Sequence, residues 1–269
     1  MKAFYFRISQ GILLCLALLS AARGADNPPR VDSILDKFVE ACGGKPAMEK
    51  IKSRTIRGDL DLMGSTSDWV LEAKAPNKQF SEFNNSTFGA VADGFDGTVA
   101  WSKNQSGVRV KEGEELAKTK RDAEFYRYLN LKKLYPDLGY KGTDKLDGEE
   151  VHVLESKPSP SSREKFSFSS KSNLLIRQES EFEGPQGKVG VTVRLTDFRP
   201  VDGIKYAHGL KFKISAGEQE LEFAIKPGSR AGIQRSISLT SMLPARGNSS
   251  LTGWRTRCRR RVAQSGKHF

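Results

Sequence analysis

Ile204-Lys-Tyr-Ala-His-Gly-Leu-Lys-Phe-Lys-Ile214 is the stretch whose reading decides the fold. Ile204, Tyr206, His208, Leu210, Phe212 and Ile214 fall on one side of an extended chain, and Lys205, Lys211 and Lys213 fall on the other. A period of two sustained this long marks a strand with one face buried and one face in water. The neighbouring segments repeat it. Val189, Val191, Val193 and Leu195 alternate within 188–198, and Leu221, Phe223 and Ile225 close the series. Upstream, strands are expected at 138–146, 149–156, 163–169 and 173–183, with Asp147-Gly148 as a turn. Ile56, Gly58, Leu60 and Leu62 form another alternating run, as do Trp69, Leu71 and Ala73. Further runs lie around Phe80–Phe83, Phe88–Ala92 and Thr98–Lys103, the last entered through Gly94-Phe-Asp-Gly97 read as a turn and closed by 104–107. Alternation broken by turn residues every 8–12 positions is the signature of an antiparallel meander.

Two stretches depart from that period. Val31, Ile34, Leu35, Phe38, Val39 and Cys42 share one helical stripe, Gly43-Gly44 supplies a left-handed stop, and Pro46 opens a second turn over 47–51. Glu112 to Tyr135 reads as one inserted helix with an acidic start, a basic end and a stop at Pro136. The fold class is therefore mainly β (α+β): an antiparallel meander with an N-terminal helix and an inserted helix. Strand–helix–strand alternation is missing, which disfavours parallel α/β enzymes.

The N-terminus reads as an export signal. Lys2 and Arg7 precede the apolar run Gly11-Ile-Leu-Leu-Cys-Leu-Ala-Leu-Leu-Ser20, and Ala22 and Gly24 form a small-residue cleavage site. The run is too short to span a bilayer, which takes roughly 20 residues. Residues 1–24 are thus expected to be removed, leaving a periplasmic or secreted chain for which nucleic acid is a poor partner. The formal charge of +12 is unevenly placed: between Lys226 and Phe269 there are ten Lys or Arg and no carboxylate, which leaves +2 for residues 1–225. Residues 25–225 form the expected domain. The basic segment 226–269 reads as a disordered tail, as a weak contact for an anionic membrane surface, or as the product of a shifted reading frame. Cys42 and Cys258 are too few for a disulfide framework; a buried Cys42 is favoured over a bridge between them.

The search for chemistry returns little. Three histidines, at 152, 208 and 268, are too scattered for a metal cluster, and no cofactor fingerprint is present. His208 reads as a hydrogen-bonded core or rim residue, with a hydrolase using His208 and Asp202 as the less favoured reading. Asp144, Asp147, Glu149 and Glu150 read as solvated turn residues rather than a calcium loop. The surplus is instead apolar. Bulky side chains crowd the first half, and a strongly curved sheet that two helices cannot fill would leave an apolar pocket. A void of several hundred cubic ångströms would separate that reading from a filled core.

Leu35-Asp-Lys-Phe-Val-Glu-Ala-Cys-Gly-Gly-Lys-Pro-Ala-Met-Glu-Lys-Ile51 carries a resemblance, joined by Ala75-Pro-Asn-Lys78, Gly94-Phe-Asp-Gly-Thr-Val-Ala-Trp101, Lys133-Leu-Tyr-Pro136 and Asp197-Phe-Arg-Pro-Val-Asp-Gly-Ile-Lys205. Over roughly 31–225 the chain resembles bacterial outer-membrane lipoprotein-sorting (LolA/LolB-like) envelope proteins. The resemblance implies a curved antiparallel half-barrel with helices over its concave face and a cavity for lipid or lipoprotein acyl chains. The expected function is an exported, non-enzymatic carrier or sensor without cofactor or metal. Trp69, Leu71, Phe80 and Trp101 would line the sheet side, with Val191 and Tyr206, and Phe125 and Leu129 would lie on the lid. The alternative is a structural or partner-binding envelope protein.

Overall fold

The computed structural model describes residues 29–185, 187–226 and 233–234. The expected export signal, residues 1–24, and Cys258 lie outside the described residues, as does most of the basic segment.

Helix α1 (Val31–Ala41) buries Ile34, Leu35 and Phe38, as its stripe requires. It ends where Gly43 (φ +116°) and Gly44 (φ +84°) turn left-handed, with the Gly44 N–H donating to the Val39 carbonyl at 2.9 Å. A short α2 (Lys45–Lys50) follows, with Pro46 in its first turn. Then come six strands: β1 (Ser53–Leu62), β2 (Ser65–Lys74), β3 (Lys78–Asn85), β4 (Gly89–Phe95), β5 (Ala100–Asn104) and β6 (Gly107–Val110). After α3 (Gly113–Ala123) and α4 (Leu131–Leu134), the chain continues through β7 (Gly139–Leu146), β8 (Glu149–Ser159), β9 (Ser162–Ser169), β10 (Leu175–Gly184), β11 (Gly187–Val201), β12 (Ile204–Ala216) and β13 (Gln219–Lys226).

All of these strands belong to one open antiparallel sheet in the order β6-β5-β4-β3-β2-β1-β13-β12-β11-β10-β9-β8-β7. The connection from β6 to β7 joins opposite edges, so it must cross a whole face, and its helices do so. Helix α3 touches β4 and β5 on one side and β10 on the other. In a flat sheet β4 and β10 would be about 33 Å apart at ~4.8 Å per strand, whereas a helix is only about 10–12 Å across. The sheet is therefore curled around α3. The half-barrel expected from the sequence is the fold observed.

Three local expectations are corrected. The single helix over 112–135 stops at Glu124, whose ψ of 115° is extended; turns follow to Asn130 before α4. Phe125 goes into the core beside Ile51, Ala73 and Ile204, while Tyr128 packs edge-on to Phe38 of α1 at 5.4 Å. One helical stripe cannot serve both targets, and the Phe125 N–H bonds the Pro76 carbonyl instead at 2.9 Å. Second, Gly94 and Phe95 belong to β4, so the turn is Asp96–Val99, capped by Asp96 Oδ1 accepting from the Thr98 and Val99 amides. Gly107–Val110 is a further edge strand, where the sequence reading closes the hairpin at 104–107 and assigns nothing to 108–110. Third, the basic segment was read as wholly outside the fold, yet Ile233–Gln234 (β14) pairs with Ile56 and Thr55 of β1.

Candidate functional site

The sheet carries a gap. Strand β13 pairs with β1 only over Asp59–Leu62 and with β12 only from Leu210 onward. Gly58 marks the departure, since a Cβ there would press on the Lys226 carbonyl at 2.6 Å. The first half of β1 and the first half of β12 therefore face each other without a ladder between them, and among the described residues only Ile233–Gln234 enters that space. Helix α1, helix α2 and the turns 124–130 close over it from the concave side.

The result is a cleft of about 190 Å³. Phe38, Met48, Ile51 and Ile56 line it from the N-terminal side, Phe125, Tyr128 and Leu129 from the turns, and Leu195, Phe198, Ile204 and Tyr206 from β11 and β12. Its position depends on how α1 is docked. The Lys205 N–H donates to the Cys42 carbonyl at 2.9 Å, and a Cβ on Gly43 would overlap the Gly203 carbonyl oxygen. The Gly43-Gly44 pair and the Asp202-Gly203 turn, both within the motifs quoted for the resemblance, thus meet in space. Tyr126 completes the rim, its hydroxyl donating to the Ile51 carbonyl and accepting from Lys52 Nζ, each at 3.0 Å.

Of the eight expected ligand-binding residues, Phe125, Leu129 and Tyr206 line this cleft. Leu71 packs beside the Ile51, Ala73, Phe125 and Ile204 cluster without lining it. Trp69 shares the concave face but joins a separate cluster with Leu60, Leu62 and Ile225. Val191 is also on that face, opposite Ile214. Phe80 and Trp101 are corrected: Leu71 pairs with Ser81, while Phe80 pairs with Glu72 and Gly94, and Gly94 pairs with Trp101. Cross-strand partners share a face, so Phe80 and Trp101 lie on the side away from Leu71. There the Trp101 indole covers Gly94, where any Cβ would collide with it. Sequence reading missed Phe38, Met48, Ile51, Phe198 and Arg54. For Phe38, Met48, Ile51 and Phe198 the signal was present, because the motifs quoted for the resemblance contain all four.

A charged cluster under α3 was also missed. Glu164 of β9 is 0% exposed and accepts from Ser180 Oγ at 2.6 Å and Gln178 Nε2 at 3.2 Å. Lys118 of α3 lies 3.7 Å from Glu164 and 2.6 Å from Asp122, which in turn pairs with Arg127 at 2.8 Å. Burial pushes the Asp122 carboxyl up, but Lys118 and Arg127 outweigh it and hold it below its ordinary range. These groups fix α3 to the floor of the half-barrel.

His208 Nδ1 lies 3.0 Å from the Tyr206 carbonyl oxygen, and the side chain is half-buried without lining the cleft. Asp144 and Asp147 pair with Arg177 and Arg194, and Glu149 accepts from Ser169. No group of three or more metal-ligating side chains occurs among the described residues.

No protein-family model matches the sequence, and no curated protein matches it. Solved structures do. The chain resembles LolA-superfamily proteins. A LolA superfamily protein from Nitrosomonas europaea aligns at 12% identity and a TM-score of 0.47, over 81% of this chain and 98% of that one. An outer membrane lipoprotein-sorting protein domain from Vibrio parahaemolyticus aligns at 11% identity and 0.46, over 77% and 97%. A DUF1329 family protein from Desulfovibrio piger aligns at 13% identity and 0.45, over 78% and 95%. The LolA-like likeness is one of strand and helix arrangement, and the reading of the cleft rests on its own geometry.

Proposed function

We propose that the protein is an exported carrier or sensor that holds an apolar ligand, a lipid or lipoprotein acyl chain, in the cleft under α1 and the turns 124–130. The observation that carries this reading is the cleft itself. Interiors of folded proteins are close-packed, and even a 150 Å³ apolar cavity stays dry and takes apolar guests. At about 190 Å³ the cleft is smaller than the several hundred expected and suits a segment of chain rather than a whole lipid. The remainder would lie along the apolar concave surface of Leu221, Phe223, Phe212 and Trp69, which is only partly buried. Each methylene removed from water contributes about 0.8 kcal/mol.

Ligand entry by displacement of α3 is disfavoured by the cluster beneath it, because pulling Lys118 away would strand Glu164 as a buried, uncompensated charge. Entry beside the turns 124–130 leaves those pairs intact. Residues 1–24 support export and residues 25–225 the binding domain; the basic segment would add a weak anionic membrane contact. The test is native mass spectrometry with lipid extraction on chain purified from a bacterial periplasm. Acyl lipid at near one per chain is the expected result. A clean apo mass without uptake of added lipid would sink the carrier reading and direct the search to protein partners.

A further inference from the structure

We infer that the ligand carries an anionic end, as a fatty carboxylate does, and that Arg54 is its counter-ion. The inference rests on the cleft as a binding site and adds the chemistry of the head group. Among the described residues eighteen line the cleft; Arg54 and Lys205 are charged and none of the eighteen is Asp or Glu, while Asp202 of the β11–β12 turn acts on the site through its charge on Tyr206. A cation facing apolar walls is costly unless an anion meets it. Elsewhere in the fold the comparable cations, Lys118 and Arg127, meet Asp122 directly.

Arg54 lies on β1 with its guanidinium 5.0 Å from the Phe125 ring centroid. Stacking occupies the flat face of the group and leaves its in-plane N–H fork for hydrogen bonding. The Nε of that fork is buried and has no hydrogen-bond partner among the described residues. Tyr206 stands beside it: burial pushes its phenol up, the charge and hydrogen bond of Arg54 oppose that, and the charges of Asp202 and Cys42 add to it, so at neutral pH its hydroxyl keeps its proton. A guanidinium fork and a phenol at the wall of an apolar cleft match a planar carboxylate with an alkyl tail.

Decanoate and decan-1-ol share a chain length and differ in charge. In calorimetric titration of the full chain at pH 7, decanoate should bind about tenfold more tightly than decan-1-ol, the usual increment for a charge-assisted hydrogen bond. Arg54→Gln should erase the difference by weakening decanoate alone, and Tyr206→Phe should reduce it about threefold. Equal affinities in the unaltered protein would overturn the head-group assignment while leaving the apolar cleft in place, whether or not either variant folds. An Arg54→Gln protein that keeps the full preference for decanoate would overturn it as well. If neither compound binds, the inference and the carrier reading fall together.

Discussion

Gly43 takes φ of +116°, and a methyl group there would also overlap the Gly203 carbonyl, so two penalties fall on one position. Gly148 (φ +83°) has nothing within 4 Å of its Cβ position and carries only the first. Gly43→Ala should therefore cost about 3 kcal/mol and Gly148→Ala about 1 kcal/mol, read as urea midpoints at unchanged m. Equal costs would show that the contact between α1 and the β11–β12 turn does not hold the helix in place. Cys42, one residue away, is a second probe of the same junction. Burial pushes its thiol up to about 12, with Lys205 opposing. At pH 8 the Cys42 peptide should alkylate about a thousandfold more slowly in the native protein than in urea, because the thiolate is the reacting species. Rapid native labelling would mean that α1 and α2 part readily.

At the scale of the elements, the turns 124–130 act as the cover, and Leu129 is their cleft-lining residue beyond the aromatics. Leu129→Glu places a carboxylate against apolar walls and should abolish acyl uptake while leaving the circular dichroism spectrum and cooperative unfolding intact. Uptake equal to that of the unaltered protein would sink the role of the turns. Strands with one wet face were legible in the sequence, because that asymmetry writes the period directly into Leu60–Leu62 or Val189–Leu195, whereas in β9 Phe166 to Ser169 are all buried. The cover was not, because Glu112–Tyr135 has the charges of a helix throughout, and only tertiary partners decide that Phe125 and Tyr128 part company. The facing of Phe80 and Trp101 escaped for a different reason. Phe80 and Phe83 are three apart and cannot share a face of a strand, so one of them had to point outward. Gly94 decides which, since only a bare backbone admits the Trp101 indole above it. Arg54 was invisible as a site residue, because on an exposed face it would look the same in sequence.

For the whole molecule, the charged cluster under α3 is what ties the two halves of the curled sheet through one helix. Leu116 and Ala123 of α3 meet Phe95 and Ala100 on β4 and β5, while Lys118 reaches Glu164 on β9. Asp122 holds Lys118 and Arg127 in that arrangement, and its native carboxyl is depressed below the unfolded value of about 3.9. Such a group stabilises the fold fully above the unfolded value, and the contribution fades as pH falls through the lower native one. The urea midpoint should therefore hold between pH 7 and 5 and decline below about pH 4. Asp122→Asn should cost about 2 kcal/mol at pH 7, where it leaves the half-buried Arg127 without its anion and Lys118 with Glu164 alone at 3.7 Å, and distinctly less at pH 3. A cost independent of pH would mean that the carboxylate does not supply the tie. Because the cleft opens where the sheet is already split between β1 and β12, loosening α3 frees the two halves to spread there. Bound acyl ligand should accordingly be released over the same acid range in which the midpoint declines, and Asp122→Asn should release it already at neutral pH.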